Sequence, residues 1–488
     1  MLLGVLAAGL AAMVTQLGMK FIVAFLGLLI GLSILLSIRD SSKIELLLVA
    51  GLAFAIPLNL DVHFLFRPHL GGAASIGISA SMLCVIGLYV VWIYRYKTRQ
   101  LSPLVVFDSN LIWASILFMC VGILSLWNAR HADLVFLEEI RLVTFFLTML
   151  VVMNFRSDKL LRVFVIFLAI AAFAQGSLAS LQFVGNTSLG LDIFGEVDVH
   201  ELNIGRTVTR ATGTIGHPNV LGYYLEIMFP LVLALLLTEK QFFLRLLYLA
   251  ASASVLAGLV CTVSRGAWIT VPFSCLIVFF VLHAKNIFRL NTAVAAAVLG
   301  LIMIVPMYLA FPTIQKRFTH DDGKSASIRM PLNYASFSII QQYPVLGVGL
   351  NNFAETFHDY DTTQYSRRLT ARRVVDGTLE ETRYKQVVHN LVMWVWTEVG
   401  TLGLISFLWL FGAAVMVSIR SWRRADDWSR AVLLGCSTGF VAHFIHGMVD
   451  PGFRVTISVS MLLYSMFGLI GAIALRIRQG SLMSSKFV

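Results

Sequence analysis

Of the 488 residues, 58% are hydrophobic and only 13% are charged, about half the charged share of a soluble globular protein. That balance excludes an ordinary soluble enzyme and leaves room for about fourteen apolar helices of roughly 20 residues each. The net charge of +11 implies no nucleic acid, because most of the cations fall in short connections between apolar runs, where they set orientation and meet anionic membrane lipids.

The chain opens on an apolar run from Leu2 to Ile38, broken by Lys20. The run has no basic leader and is too long for a cleaved signal peptide, so residues 1–43 read as a hydrophobic hairpin of two short helices, 2–18 and 21–38. Twelve further spans are predicted at 44–60, 75–94, 109–127, 134–153, 160–184, 219–238, 242–263, 267–283, 291–311, 390–418, 430–449 and 455–475. The expected fold class is all-α: a polytopic helical membrane protein with about 12 core transmembrane helices plus the N-terminal hairpin, and with a large, partly helical loop. Residues 44–311 form the main bundle with an outer loop at 185–218, residues 312–389 form the large loop, and residues 390–488 form the last three helices and a short tail. Five cysteines, Cys84, Cys120, Cys261, Cys275 and Cys436, all lie in apolar runs. They read as packing residues rather than as disulfides or metal ligands.

Alternate connections hold nineteen Lys or Arg, among them Arg95, Arg156, Lys240, Arg420 and Arg476. The others hold five: Lys20, Arg67, Arg130, Arg265 and Arg454. Basic loops resist translocation, so both termini are predicted to be cytoplasmic and loops 185–218 and 312–389 to face outward. The large loop carries ten basic and eight acidic residues, too mixed for a disordered tail. A helix is predicted over Ser327–Gln342, stopped by Tyr343-Pro344 and the glycines of PVLGVG. A second helix is predicted over Arg367–Gln386, where the pairs Arg367/Arg368 and Arg372/Arg373 would share neighbouring faces, either toward membrane phosphates or simply toward water.

Intramembrane ionisable groups are costly and mark cavities, which singles out five places at outer span ends. The first is TRATGTIGHPNVLGYY (209–224), with Arg210, His217 and Asn219, and Arg206 just upstream. The second is TVSRGAWI (262–269), whose Arg265 sits in a short turn at the level of lipid phosphates. The third is VVHNLVMWVWTEVGTLGL (387–404), with His389 and Asn390. The fourth is HGMVDPGFR (446–454), with His446, Asp450 and Arg454. The fifth, Glu138, Glu139 and Arg141, reads first as an internal ion-pair cluster. Two guanidinium forks, Arg210 and Arg265, suit a diphosphate, and an imidazole at His389 suits a general base near neutrality.

The run from His389, His-Asn followed by nine residues and Gly400-Thr401-Leu402-Gly403, resembles the H-[NSQ]-x9-G-x-x-G signature of O-antigen ligases. SRGAWI resembles the arginine motif those enzymes carry between two spans, although Ile269 stands where an R-x3-L pattern has Leu. GTIGHPN, YPVLGVGLNNF (343–353) and HGMVDP are similar to segments of the wider ligase and polymerase family. The layout of twelve helices, with a large loop between the ninth and tenth counted from residue 44, is similar too.

The resemblance implies a metal-independent inverting glycosyltransferase of the bacterial inner membrane, with its active site facing the periplasm. It would move a glycan from an undecaprenyl-diphosphate-linked donor to a lipid A-core acceptor. His389 would be catalytic, Arg265 and Arg210 would bind the diphosphate, and Asn390, His217, Asn219, Asp450, Arg206 and Arg141 would support them. No cofactor and no metal are expected. Asp359-Tyr360-Asp361 has the spacing of a metal-binding Asp-x-Asp, but arginines can do the same electrostatic work. An O-antigen polymerase or a protein O-oligosaccharyltransferase would share this chemistry. A transporter, the reading from another class, would more often show midplane charge pairs and an internal repeat.

Overall fold

The computed structural model describes residues 40–69, 71–98, 109–198, 209–285, 323–360, 370–375, 378–383, 387–452 and 456–484. The predicted helices 2–18, 21–38 and 291–311, and Arg206 and Arg454, lie outside the described residues.

The protein is a helical membrane protein. Helices α1 (Ser41–Ala55) and α2 (Ala80–Lys97) are joined through a small antiparallel hairpin, β1 (Asp61–Phe64) and β2 (Ile76–Ser79). They are followed by α3 (Asn110–Leu124), α4 (Ala132–Met153), α5 (Asp158–Gly185), α6 (Pro218–Thr238), α7 (Phe242–Cys261) and α8 (Arg265–Ala284). The large loop supplies α9 (Gly323–Gln342), the single turn α10 (Phe353–Thr356) and a hairpin of β3 (Thr370–Val375) and β4 (Thr378–Arg383). Helices α11 (Leu391–Trp422), α12 (Asp427–Gly447) and α13 (Ile457–Ser484) close the chain.

Seven described helices are long and apolar enough to cross a membrane: Asn110–Trp127, Asp158–Gly185, Pro218–Thr238, Phe242–Cys261, Arg265–Ala284, Leu391–Trp422 and Ile457–Gln479. Helices α1, α2, α4 and α12 also fall on predicted spans but are shorter or more polar. In α4 and α12 the polarity comes from Glu138, Glu139 and Arg141, and from His443 and His446. The predicted helix over Arg367–Gln386 is corrected: β3 and β4 occupy that stretch. Their register sets Arg372 opposite Glu381 and Arg373 opposite Glu380, with Asp376-Gly377, a strong two-residue hairpin signal, between the strands. Helical spacing of arginines misled because the same spacing also fits a strand register that sets basic positions opposite acidic ones.

Helix α6 is the mast of the bundle, buried along nearly its whole length. His217 caps it, its Nδ1 accepting from the Asn219 amide at 3.2 Å, and Pro218 fills the first turn, where a missing N–H costs nothing. Helix α12 lies directly against it through a G-x-x-x-G pair. A Cβ on Gly435 would lie 2.4 Å from Leu231 Cα, and one on Gly439 would lie 2.6 Å from Ile227 O. At one end of the bundle α5 meets its neighbours through charge. Arg476 on α13 pairs with Asp158, and Arg162 stacks 4.7 Å over the Trp428 ring of α12. The polar segments singled out in the sequence collect at the other end.

Candidate functional site

Asp450 follows the last turn of α12, its amide donating to His446 O at 3.0 Å. From there its carboxylate reaches two partners: Oδ1 lies 3.2 Å from His389 Nδ1, and Oδ2 accepts from Asn219 Nδ2 at 2.7 Å. Tyr223, one turn into α6, donates its hydroxyl to the Asp450 carbonyl at 3.1 Å. Asn219 Oδ1 in turn accepts from Arg210, whose Nε donates to Thr262 O at 3.0 Å. One polar chain therefore links His389, Asp450, Asn219, Arg210 and the α7–α8 turn. These residues come from four separate stretches of sequence.

Charge follows from this geometry. Burial disfavours the Asp450 carboxylate, but the hydrogen bond and positive charge offered by His389, helped by Tyr223 and His446, outweigh it and hold its pKa down at about 2. An ionised carboxylate only accepts hydrogen bonds. The proton of a neutral His389 ring must then sit on Nδ1, which leaves the Nε2 lone pair available. The side chain of His389 is partly open to solvent.

Asn390 does something different from its neighbour. Its Oδ1 caps α11 by accepting from the Met393 amide, and its Nδ2 donates to Met448 O at 3.0 Å. It thereby ties the start of α11 to the end of α12 and fixes where His389 stands. Arg265 is the first residue of α8 and is half-buried. The turn before it is strained: Val263, a β-branched residue, has φ of 52°, which costs free energy and needs surrounding structure to hold it. Gly266 lets this helix start close in, since a Cβ there would lie 2.0 Å from His446 Nε2.

The glycine of the His-Asn signature has a backbone reason. Helix α11 breaks at Gly400 (φ 66°), and the PVLGVG turn of the large loop inserts at the break. The amides of Val348 and Gly349 donate to the carbonyls of Thr397 and Glu398 at 3.0 and 2.9 Å, and the amide of Thr401 donates to Pro344 O at 2.8 Å. Loop backbone thus replaces the helical hydrogen bonds that the kink gives up. Buried Glu398 locks the joint by accepting from the Asn351 amide at 2.8 Å and from Trp394 Nε1 at 2.9 Å. A Cβ on Gly400 would lie 2.1 Å from Val345 O. Gly400→Ala is therefore expected to destabilise the protein by about 2–4 kcal/mol, from the positive φ and the backbone collision together. A detergent-solubilised thermal melt within a degree of wild type would refute that assignment.

Three residues of this region escaped the sequence reading. Arg329, on α9, has its Nε buried without a hydrogen-bond partner among the described residues, and its charge acts on Tyr223 and His446. It is a third arginine beside the site. Glu226 is buried in α6 beneath the polar chain and accepts from His446 Nδ1 at 2.7 Å and Thr270 Oγ1 at 2.9 Å. As the sole acid in the apolar run 219–238 it carried a readable signal. Tyr223 lay inside a segment already noted, but nothing in the sequence showed its hydroxyl reaching Asp450. Arg141 is not part of this cluster. It pairs with Glu138 at 2.6 Å and lines a cavity of about 310 Å³ with Asp61 and His63 that shares none of the cluster's residues. Asp359, the first of the Asp-x-Asp pair, is engaged by Arg130 at 2.6 Å, and Asp361 lies outside the described residues.

Residues 250–408 match the family model described as O-antigen ligase. That segment holds Arg265, Arg329, His389 and Gly400. The matched segment is about a third of the chain. An O-antigen ligase of Salmonella typhimurium is 26% identical to it over 199 residues, which is 38% of this chain and 44% of that relative. The chain thus aligns with less than half the length of that O-antigen ligase. The carboxylate at Asp450 and the amide at Asn219, which complete the polar chain, come from outside the matched segment.

Proposed function

We propose that the protein is an O-antigen ligase, an inverting glycosyltransferase that moves a polysaccharide from undecaprenyl diphosphate to a sugar hydroxyl of lipid A-core at the periplasmic face of the inner membrane. The contact that carries this reading is His389 Nδ1 to Asp450 Oδ1, because it turns a lone histidine into an oriented base linked to an arginine. His389 Nε2 takes the acceptor's hydroxyl proton as the oxygen attacks the anomeric C1. The bond from C1 to the diphosphate oxygen breaks, and its electron pair leaves on the diphosphate. Arg265, Arg210 and Arg329 offset that growing charge, with the N-terminus of α8 adding its partial positive charge beside Arg265. A single displacement inverts C1 and needs no enzyme nucleophile.

The donor supplies its own activation, consistent with a sequence that has no Walker A or dinucleotide fingerprint. Because arginines take up the diphosphate charge in this reading, transfer is expected to proceed at an unchanged rate in excess EDTA. Loss of activity restored by magnesium or manganese would overturn the metal-independent reading.

The experiment is transfer of a labelled undecaprenyl-diphosphate glycan by purified protein, offered lipid A-core. Product on lipid A-core with inverted anomeric configuration supports the ligase. Elongation of the glycan on its own lipid carrier would instead indicate a polymerase.

A further inference from the structure

At the end of the bundle away from His389, a cavity of about 740 Å³ opens between α1, the end of α2 and the connection from α4 to α5. Helix α5 fixes the separation. Its first turn lines this cavity, whereas Gln182, near its other end, accepts from the Gly213 amide beside Arg210. The intervening residues, at 1.5 Å each, span about 35 Å. This is a different site from the one that handles sugar.

Four cations line it: Lys43, Arg95, Arg156 and Lys159. Two acids, Asp40 and Glu45, also line it, leaving an excess of two positive charges. Both acids are already engaged. Asp40 Oδ1 caps α1 by accepting from the Ser42 amide, and Glu45 accepts from Trp92 Nε1 at 2.6 Å and Arg95 Nη1 at 2.5 Å. Glu45 therefore fixes the Arg95 guanidinium by one edge, while Arg95 Nε is buried with no hydrogen-bond partner among the described residues. Burial, partly offset by Glu45 and reinforced by Arg95, pulls the Arg156 guanidinium below its usual value. The first turns of α1 and α5 both border the space, and each adds the positive end of a helix dipole. Apart from Ser42 and Ser157, the remaining wall is apolar and includes Leu46, Leu47 and Phe167.

A cavity with a cationic floor and an apolar flank at the end of a membrane bundle matches one kind of molecule. We propose that this cavity binds an anionic phospholipid, with the phosphate of its head group between Arg95 and Arg156 and its acyl chains along Leu47 and Phe167. A volume of this size accommodates a small-molecule head group. Scattered surface attraction would not need a buried glutamate holding one guanidinium in place, nor an apolar wall beside it.

The test uses the full-length protein in nanodiscs of phosphatidylcholine alone, or of phosphatidylcholine and phosphatidylglycerol in a four-to-one mixture. Retained phosphatidylglycerol is counted by native mass spectrometry after delipidation. Wild type should retain it selectively. Lys43→Gln with Lys159→Gln, both at exposed positions that should leave the fold intact, should lower its affinity by about fivefold per lysine removed. Arg95→Gln should lower it further. A control pair, Lys240→Gln with Arg245→Gln, removes two exposed charges from the same end of the bundle but outside the cavity and should change nothing. Equal losses in the control pair would mean general surface attraction and would overturn the proposal, as would no preference for phosphatidylglycerol. Full displacement by millimolar inorganic phosphate would assign the cavity to a soluble anion and overturn the lipid.

Discussion

Replacing Asp450 with Asn is expected to slow glycan transfer by about 10²–10⁴-fold, close to the loss expected from His389→Ala. The two substitutions remove one function in different ways. Alanine at 389 deletes the base. Asparagine at 450 keeps the shape but not the hydrogen-bonding pattern, because Asp450 accepts on both oxygens, from His389 and from Asn219. An amide has one acceptor and one donor. If its NH2 faces His389, the ring must turn to the tautomer with its proton on Nε2, and the base is lost. If it faces Asn219, the link toward Arg210 is broken, and the Michaelis constant for the donor should rise while loss of the carboxylate charge beside the protonated imidazole still slows turnover. A fall in turnover at unchanged donor affinity would identify the first outcome. Since Asp450 stays ionised down to about pH 2, any acid limb in the rate profile above pH 4 must come from another group. Wild-type turnover in Asp450→Asn, beside an inactive His389→Ala, would remove the orienting role of Asp450.

The second large effect is expected at Arg265. Arg265→Ala should lower transfer by about 10²–10³-fold, the usual cost of deleting one donor aimed at a developing negative charge. Arg265→Lys should recover only a small part of this, since an ammonium keeps the charge but loses the planar fork that engages two phosphate oxygens. Steady-state transfer with labelled donor measures both. Full activity in both variants would refute the diphosphate role, and full activity in the lysine variant alone would reduce that role to one of charge.

Local signals explain how much of this was readable beforehand. His389, Arg265 and Arg210 stood out because a charged or titratable side chain at the end of an apolar run needs a reason to be there. Their assembly did not stand out. Asn219 and Asp450 are 231 positions apart, and nothing in either segment says that the two side chains meet. Arg329 was hidden by its setting: in a polar loop an arginine is unremarked, and only the docking of α9 on the bundle brings its charge to Tyr223. The stretch 367–386 was misread as a helix because four arginines at helical spacing outweighed the Asp-Gly between a threonine- and valine-bearing run and a second threonine-bearing one. Gly400 was legible as part of a pattern, yet its purpose depends on a carbonyl at Val345 far away in sequence.

That kink has a mechanical consequence. From Gly400 to His389 the helix runs about 15 Å, so the segment acts as a lever arm pivoting where the large loop is fastened. A swing of about 10° at the pivot would carry the imidazole roughly 2.5 Å, enough to part it from Asp450. The grip of the PVLGVG turn on the pivot is made largely by main-chain groups and by Glu398. Alignment of the His389 imidazole is therefore set largely by backbone joinery more than ten residues away.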